Sequence, residues 1–390
     1  MKFSTLTDRI KGGAADAWDL HYEAKRARAD GEDVIVLSVG DPDFATPPRI
    51  VERAHRAMLE GDTHYTSILG HDELREAIAA RHRASSGQAI TSANVITTSG
   101  AQNALFACAQ CLLDAGDEVI VLQPMYVTYE ATVQAPGATL VPVVLDPERG
   151  FRLDAAELEA AISERTRAIF YASPSNPTGV ALNREEVETI AELAKCHDLW
   201  VVADEVYSDF IFDGEFNHIA SLPGMDDRVV TIGSLSKSYA MSGWRVGWAI
   251  APEALIANLD KLALCMLYGL PGFIQQAGAE ALLHCSEDLS RMREIYRRRR
   301  DTLFDAFSAI PGLEPLRPDA GMFMMVKVTG SGLSAPDFVE GLYRATGVSV
   351  LDATAFGASA EGFVRVSCTV SDAELDDACQ RIRGYLETLS

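Results

Sequence analysis

The sequence has no run of about eighteen uninterrupted apolar residues, so no membrane span is expected. Its first stretch, MKFSTLTDRIKGGAADAW, holds no apolar core of signal-peptide length, and a cytoplasmic protein is expected. Positive charge is scarce: 34 Lys and Arg stand against 56 Asp and Glu, a net charge of −22. A field of that sign repels phosphate backbones and argues against a nucleic-acid partner. The one concentrated basic run, Tyr296-Arg297-Arg298-Arg299-Arg300, precedes Asp301 and reads as the solvated face of a long helix. Cysteine is sparse and odd in number, seven in 390 residues, which fits reduced thiols rather than a disulfide framework. Cys108-Ala-Gln-Cys111 has redox or metal-pair spacing, but it lies in the apolar helical run ALFACAQCLL without a second Cys or His pair, so no metal is expected. Two glycine motifs are also missing. No G-x-G-x-x-G follows the first strand, and GSLSKS (233–238) has Ser236 where a P-loop needs Gly.

What is present is apolar material, 48% of residues, enough for a large core in roughly two or three domains. Seven short runs rich in β-branched residues alternate with helical patterns: 94–99, 118–123, 139–145, 167–173, 199–204, 228–234 and 245–251. They are nearly continuous in apolar residues, as strands covered on both faces should be. One helix begins at Asn183, with Glu186 completing a capping box and Val187, Ile190, Ala191 and Ala194 sharing a face. Strand–helix repetition predicts an α/β fold with a mostly parallel seven-stranded sheet between helices. After about residue 252 the pattern changes to helices, then strands at 321–328 and 362–368 around a helix near 336–346, a smaller α+β unit with which the residues before Gly40 would pack.

Open parallel sheets bind ligands at the carboxyl ends of their strands. Here those ends carry chemistry. Ser99-Gly100-Ala101-Gln102 leads into a helix, an arrangement that serves equally as an ordinary turn or as an anion site. Pro124-Met125-Tyr126 offers an aromatic ring, and Asn176 an amide within SPSNPTG, itself a plausible turn. Asp204 ends an apolar strand and needs a positive partner, whether a structural cation or a ligand's protonated nitrogen; Tyr207 follows three residues on. The last end runs into Lys237, with Arg245 nearby to lower its pKa or contact an anion. Pyridoxal phosphate needs all of these: a helix N-terminus, a stacking ring, a carboxylate at its ring nitrogen, donors to its ring oxygen, and a lysine at its aldehyde.

These stretches, with VGDPDF (39–44), HYTSILGHDELREAI (64–78), PMYVTYEA (124–131), ADEVYSDFIF (203–212), SLSKSYAMSGWRVGW (234–248) and FVRVSC (363–368), resemble the class I/II aminotransferases over nearly the whole chain. The resemblance implies the type I fold of pyridoxal-phosphate transferases, with a large cofactor-binding domain over 45–285 and a small domain made of 1–44 and 286–390. It implies that Lys237 binds the cofactor covalently and moves protons, that Asp204 pairs with the ring nitrogen, that Asn176 and Tyr207 contact the ring oxygen and that Tyr126 stacks on the ring. Ser99, Gly100, Ala101, Ser234 and Arg245 would hold the phosphate. Tyr65 would reach the phosphate in a partner subunit, implying a homodimer with shared sites. Arg365 would clamp the substrate α-carboxylate, with Gly40 and Asn176 beside it. The activity implied is ping-pong transfer of an amino group from an L-amino acid to a 2-oxo acid. HDLWVVADEVYSDFIFDGE (197–215), LALCMLYGLPGFIQQA (262–277) and LRPDAGMFMMV (316–326) extend the likeness toward the arginine–pyruvate branch of the family. The alternative on the same fold is a β-lyase or related carbon–heteroatom lyase. A regulator with an aminotransferase-like domain is a weaker third reading, since no added basic module precedes the fold.

Overall fold

The seven apolar runs pair into one sheet in the computed structural model, which describes residues 1–10 and 18–389. Residues 11–17, part of the expected N-terminal arm, and residue 390 lie outside the described residues. In chain order the strands are β1 (Ile35–Val36), β2 (Val95–Ser99), β3 (Glu118–Gln123), β4 (Thr139–Val144), β5 (Thr166–Ala172), β6 (Trp200–Asp204), β7 (Val229–Ser234), β8 (Val246–Ile250), β9 (Glu314–Pro315), β10 (Phe323–Lys327), β11 (Val348–Ser349), β12 (Leu351–Asp352) and β13 (Phe363–Ser367). The large sheet runs β2-β8-β7-β6-β5-β3-β4. From β7 to β4 every pair is parallel, while β8 is antiparallel to both neighbours. Chain length explains the exception: only residues 235–245 separate β7 from β8, fewer than the dozen or so a parallel crossover needs. Because β2 and β7 both flank β8, they point the same way.

Alternation along each strand fills two cores. Ile120, Ile169 and Val201 enter one, and Val119, Phe170 and Val202 the other. The expected capping box is formed: Asn183 Oδ1 accepts the Glu186 N–H at 3.0 Å, and Glu186 Oε2 accepts the Asn183 N–H at 2.7 Å. Val187, Ile190, Ala191 and Ala194 are buried beneath that helix, Arg184–Cys196.

The C-terminal unit is an antiparallel sheet, β12-β13-β10-β9, sharing a core with helices Ser286–Ser308, Ala335–Thr346 and Asp372–Glu387. β1 pairs in parallel with β11, which ties Ile35–Val36 to this unit, while Arg9 donates to the carbonyls of Gln134 and Ala135 beside the large sheet. The basic run departs from its expected solvated face. Tyr296, Arg299 and Arg300 are buried. Arg299 bonds Asp43 and Asp372 at 2.9 and 2.7 Å, and Arg300 bonds Asp213 at 3.0 Å. Acids distant in sequence, with the adjacent Asp301 at 2.9 Å from Arg300, thus compensate the buried cations. Cys108 is buried in helix Ala101–Leu112, where desolvation pushes its thiol pKa well up, as for a core residue. Among the described residues no helix is long and apolar enough to cross a membrane.

Candidate active site

Five parallel strands deliver their carboxyl ends to one edge of the large sheet, with β2 ending beside them. A cavity of about 330 Å³ opens there. Its wall includes Gly40, Ala101, Tyr126, Asn176, Asp204, Tyr207, Ser234, Lys237, Arg245 and Arg365, so the strand-end residues do converge.

Lys237 lies three residues beyond β7. Its Nζ donates to the Gly40 carbonyl at 2.7 Å. Burial draws its pKa down to about 8; Arg365 and Arg245 push the same way, and Asp41 opposes them. The cation expected to lower this pKa therefore contributes, but desolvation leads. Asp204 ends β6 and is buried. It accepts from Tyr129 Oη at 2.8 Å and from the Val206 N–H at 3.3 Å. Burial nevertheless raises its pKa to about 6.

Gly100 precedes helix Ala101–Leu112 at φ +80°, and no side chain caps that helix. Arg245, itself at φ +59°, donates to the Ser99 carbonyl at 3.3 Å and to the Ser242 carbonyl at 2.9 Å. A Cβ on Gly100 would stand 2.4 Å from Arg245 Nη2, and one on Gly247 would stand 2.4 Å from the Gly100 carbonyl carbon. Two missing side chains thus let a guanidinium and a helix N-terminus meet, a cradle for an anion. Ala101, Gln102 and Ser234 line it directly; Ser99 and Gly100 adjoin it through Arg245.

Arg365, on β13, is buried without an acidic partner among the described residues. It donates to Asn176 Oδ1 and to the Ser38 carbonyl, each at 2.8 Å. Its guanidinium lies 4.5 Å from the Phe323 ring centre and 4.9 Å from that of Phe356. Among the described residues its Nε has no partner. Burial lowers its pKa to about 10. This is a cation held ready for an anion. Tyr207 packs edge-on against Phe323, with ring centres 5.6 Å apart, and burial raises its phenol pKa. At Gly40 a Cβ would come 1.9 Å from Phe323 Cε1, so only glycine fits there. Tyr65 stands apart. It is 86% exposed, packs on Tyr268 at 4.9 Å, and reaches no part of this chain's cavity.

Sequence reasoning missed Tyr129, Trp18, Asp41, Gln102 and Phe323, all in or beside the cavity. Two had a signal. Tyr129 follows Tyr126 by one helical turn, and Gln102 directly follows the Gly100 turn. Phe323 had none, because its neighbourhood with Arg365 depends on the β10–β13 register, in which Met325 faces Arg365.

A family model described as aminotransferase class I and II matches residues 32–382. The chain is 52% identical to the arginine–pyruvate transaminase AruH of Pseudomonas aeruginosa, over 98% of this chain and 97% of that protein. It is 37% identical to the putative aminotransferase YugH of Bacillus subtilis, over 91% of this chain and 92% of that one. The solved structure of the aspartate aminotransferase from Thermus thermophilus with maleate superposes with a TM-score of 0.93 at 34% identity, over 99% of this chain and 100% of that chain.

Proposed function

Because the chain belongs to the class I and II aminotransferases, we propose that this cavity holds pyridoxal 5'-phosphate and moves an amino group from an L-amino acid to a 2-oxo acid in two half-reactions. The observation that carries the reading is one buried cavity holding both the Lys237 amine and the Asp204 carboxylate, each shifted toward its neutral form. The residues present fit the cofactor. The Gly100–Arg245 cradle, with Ser99, Ala101 and Ser234, suits its phosphate; Tyr126 suits its ring face; Asn176 and Tyr207 suit its ring oxygen; Asp204 suits its ring nitrogen; and Lys237 suits its aldehyde carbon. When bound, the cofactor accepts the electron pair left at the substrate α-carbon.

The chain's own groups do the rest. Lys237, with its pKa near 8, takes the α-proton at Nζ and returns it one position away. The Gly40 carbonyl holds that amine in place. Facing a protonated ring nitrogen, Asp204 ionises, since an adjacent cation reverses the penalty of burial. Tyr129 Oη and the Val206 N–H fix its carboxylate. Arg365 offers its fork to the substrate α-carboxylate, and Asn176 orients that fork.

The donor reading is arginine, with pyruvate as acceptor, supported by the 52% relative. Charge in the cavity supports it too. Among the described residues five charged side chains line the wall: Asp41, Asp204, Lys237, Arg245 and Arg365. Four have the roles above. Among the described residues Asp41 makes no hydrogen bond or ion pair, which leaves it free for a cationic donor side chain.

A homodimer belongs to the same reading, with Tyr65 reaching the partner's phosphate; the exposed Tyr65–Tyr268 pair supports it. So do domain limits of 45–285 for the cofactor-binding part and of 1–44 with 286–390 for the small one, supported by the β1–β11 pairing. Cytoplasmic residence rests on the unpaired cysteines. The test is a donor panel on purified protein supplied with pyridoxal phosphate. Arginine and pyruvate should yield alanine as arginine disappears. Ammonia released without any oxo acid would establish the lyase instead.

A further inference from the structure

A second cavity, of about 430 Å³, lies back to back with the first; Val206 and Ser234 line both. Its wall carries Arg81, His82, Glu205, Asp209 and His218, none of which the proposed chemistry uses. Asp209 lies in the short turn Ser208–Phe210, two residues beyond Tyr207 and five beyond Asp204. It accepts a hydrogen bond from the hydroxyl of Ser238, the residue directly after Lys237, and pairs with Arg81. Arg81 also donates to Tyr239 Oη at 2.9 Å, so both residues following Lys237 are held by this one ion pair. Ser238 and Tyr239 are buried, as is Phe210 beside Asp209.

We infer that Asp209 is a positioning residue for the reaction, locking the lysine-bearing segment to the turn that follows Asp204 and carries Tyr207. The physical need is clear. Lys237 reaches the cavity on a flexible four-carbon stem from a loop, whereas Asp204 stands on a strand. Proton transfer requires their separation to be fixed to a fraction of an ångström. A charged acceptor for the Ser238 hydroxyl holds the loop more firmly than a neutral one would. The inference rests on Lys237 being the reacting amine.

Ser238→Ala tests it cleanly, since it removes the hydroxyl and leaves the Arg81–Asp209 pair intact. The expected result is a kcat about tenfold lower with KM held within about twofold. In cofactor-free protein, the pH midpoint for modification of Lys237 by an amine reagent should also move. That midpoint answers to Asp41, Arg245 and Arg365 as well, and the substitution touches none of them. Asp209→Ala should move both readouts the same way and serves if Ser238→Ala does not accumulate. Asp209→Asn, which keeps an acceptor for the hydroxyl, should stay nearer the parent protein. Unchanged kcat and midpoint in Ser238→Ala would overturn the inference, even if thermal stability fell. An Asp209→Ala variant with the parent's kcat and midpoint would overturn it too. Turnover surviving in Lys237→Ala would instead remove the reading of the site.

Discussion

The two cavities share Val206 and Ser234, yet they pair their charges differently: in the rear one, among the described residues, burial prevails only at His82, whose pKa is lowered. In the rear cavity burial pushes His218 down, but Glu205 at 2.8 Å outweighs it and the pKa is raised. Burial likewise opposes Arg81, and Asp209 with Tyr239 outweighs it. In the front cavity burial wins each contest. Lys237 and Arg365 are lowered, Asp204 is raised, and among the described residues none of the three has a charged partner within bonding distance. Paired charges serve the fold. Unpaired ones, which destabilise the empty protein, are the ones a charged ligand can compensate.

The sharpest way to test this contrast is to remove one charge from each cavity. Lys237→Ala should cost roughly 10⁴-fold or more in turnover, measured with arginine and pyruvate, while the thermal midpoint holds or rises. Glu205→Leu should do the reverse to stability. It leaves His218 buried without its partner and should cost about 3–5 kcal/mol in denaturant unfolding. Asp204→Asn should stabilise the cofactor-free protein, by up to about 3 kcal/mol above pH 6, because burial moves that carboxyl from 3.8 to about 6. A loss of stability there would break the contrast. The sign follows from proton binding. The folded protein holds the Asp204 proton more tightly than the unfolded chain does, so its contribution to stability falls as pH rises from about 4 to about 6. Asp204→Asn should flatten that slope. Lys237 runs the other way: the unfolded chain, with a pKa of 10.5, binds its proton more tightly than the fold, at about 8, so stability gains between those values and Lys237→Ala removes the gain. The smallest expected effect is on specificity. Asp41→Asn should lower kcat/KM for arginine about tenfold relative to its uncharged analogue citrulline, a difference of about 1.4 kcal/mol. An unchanged ratio would release Asp41 from the donor reading.

Much of the front cavity was legible before folding was considered. Each strand end carries its chemical group within a few residues of an apolar run, and the rule that ligands gather at carboxyl edges brings Tyr126, Asn176, Asp204, Tyr207 and Lys237 together. The rear cavity was not legible. Arg81, Asp209 and Ser238 come from three distant segments, and each taken alone resembles an ordinary surface residue. The buried Arg299 and Arg300 misled for the same reason, since Asp43, Asp372 and Asp213, which they bond, lie more than seventy residues away in the chain, and only Asp301 beside Arg300 is local.

Local pattern by itself determined the seven strands, the Asn183 cap, the Gly100 turn and the set of chemical groups at one edge, because periodicity and caps are properties of neighbours in sequence. Only the tertiary structure decided which charges are paired and which are stranded, that Tyr129 braces Asp204, and that Asp41 and Asp204 are acids lining the front cavity. Burial and Coulomb energy depend on every segment that packs around a group, and those segments meet only when the chain has folded.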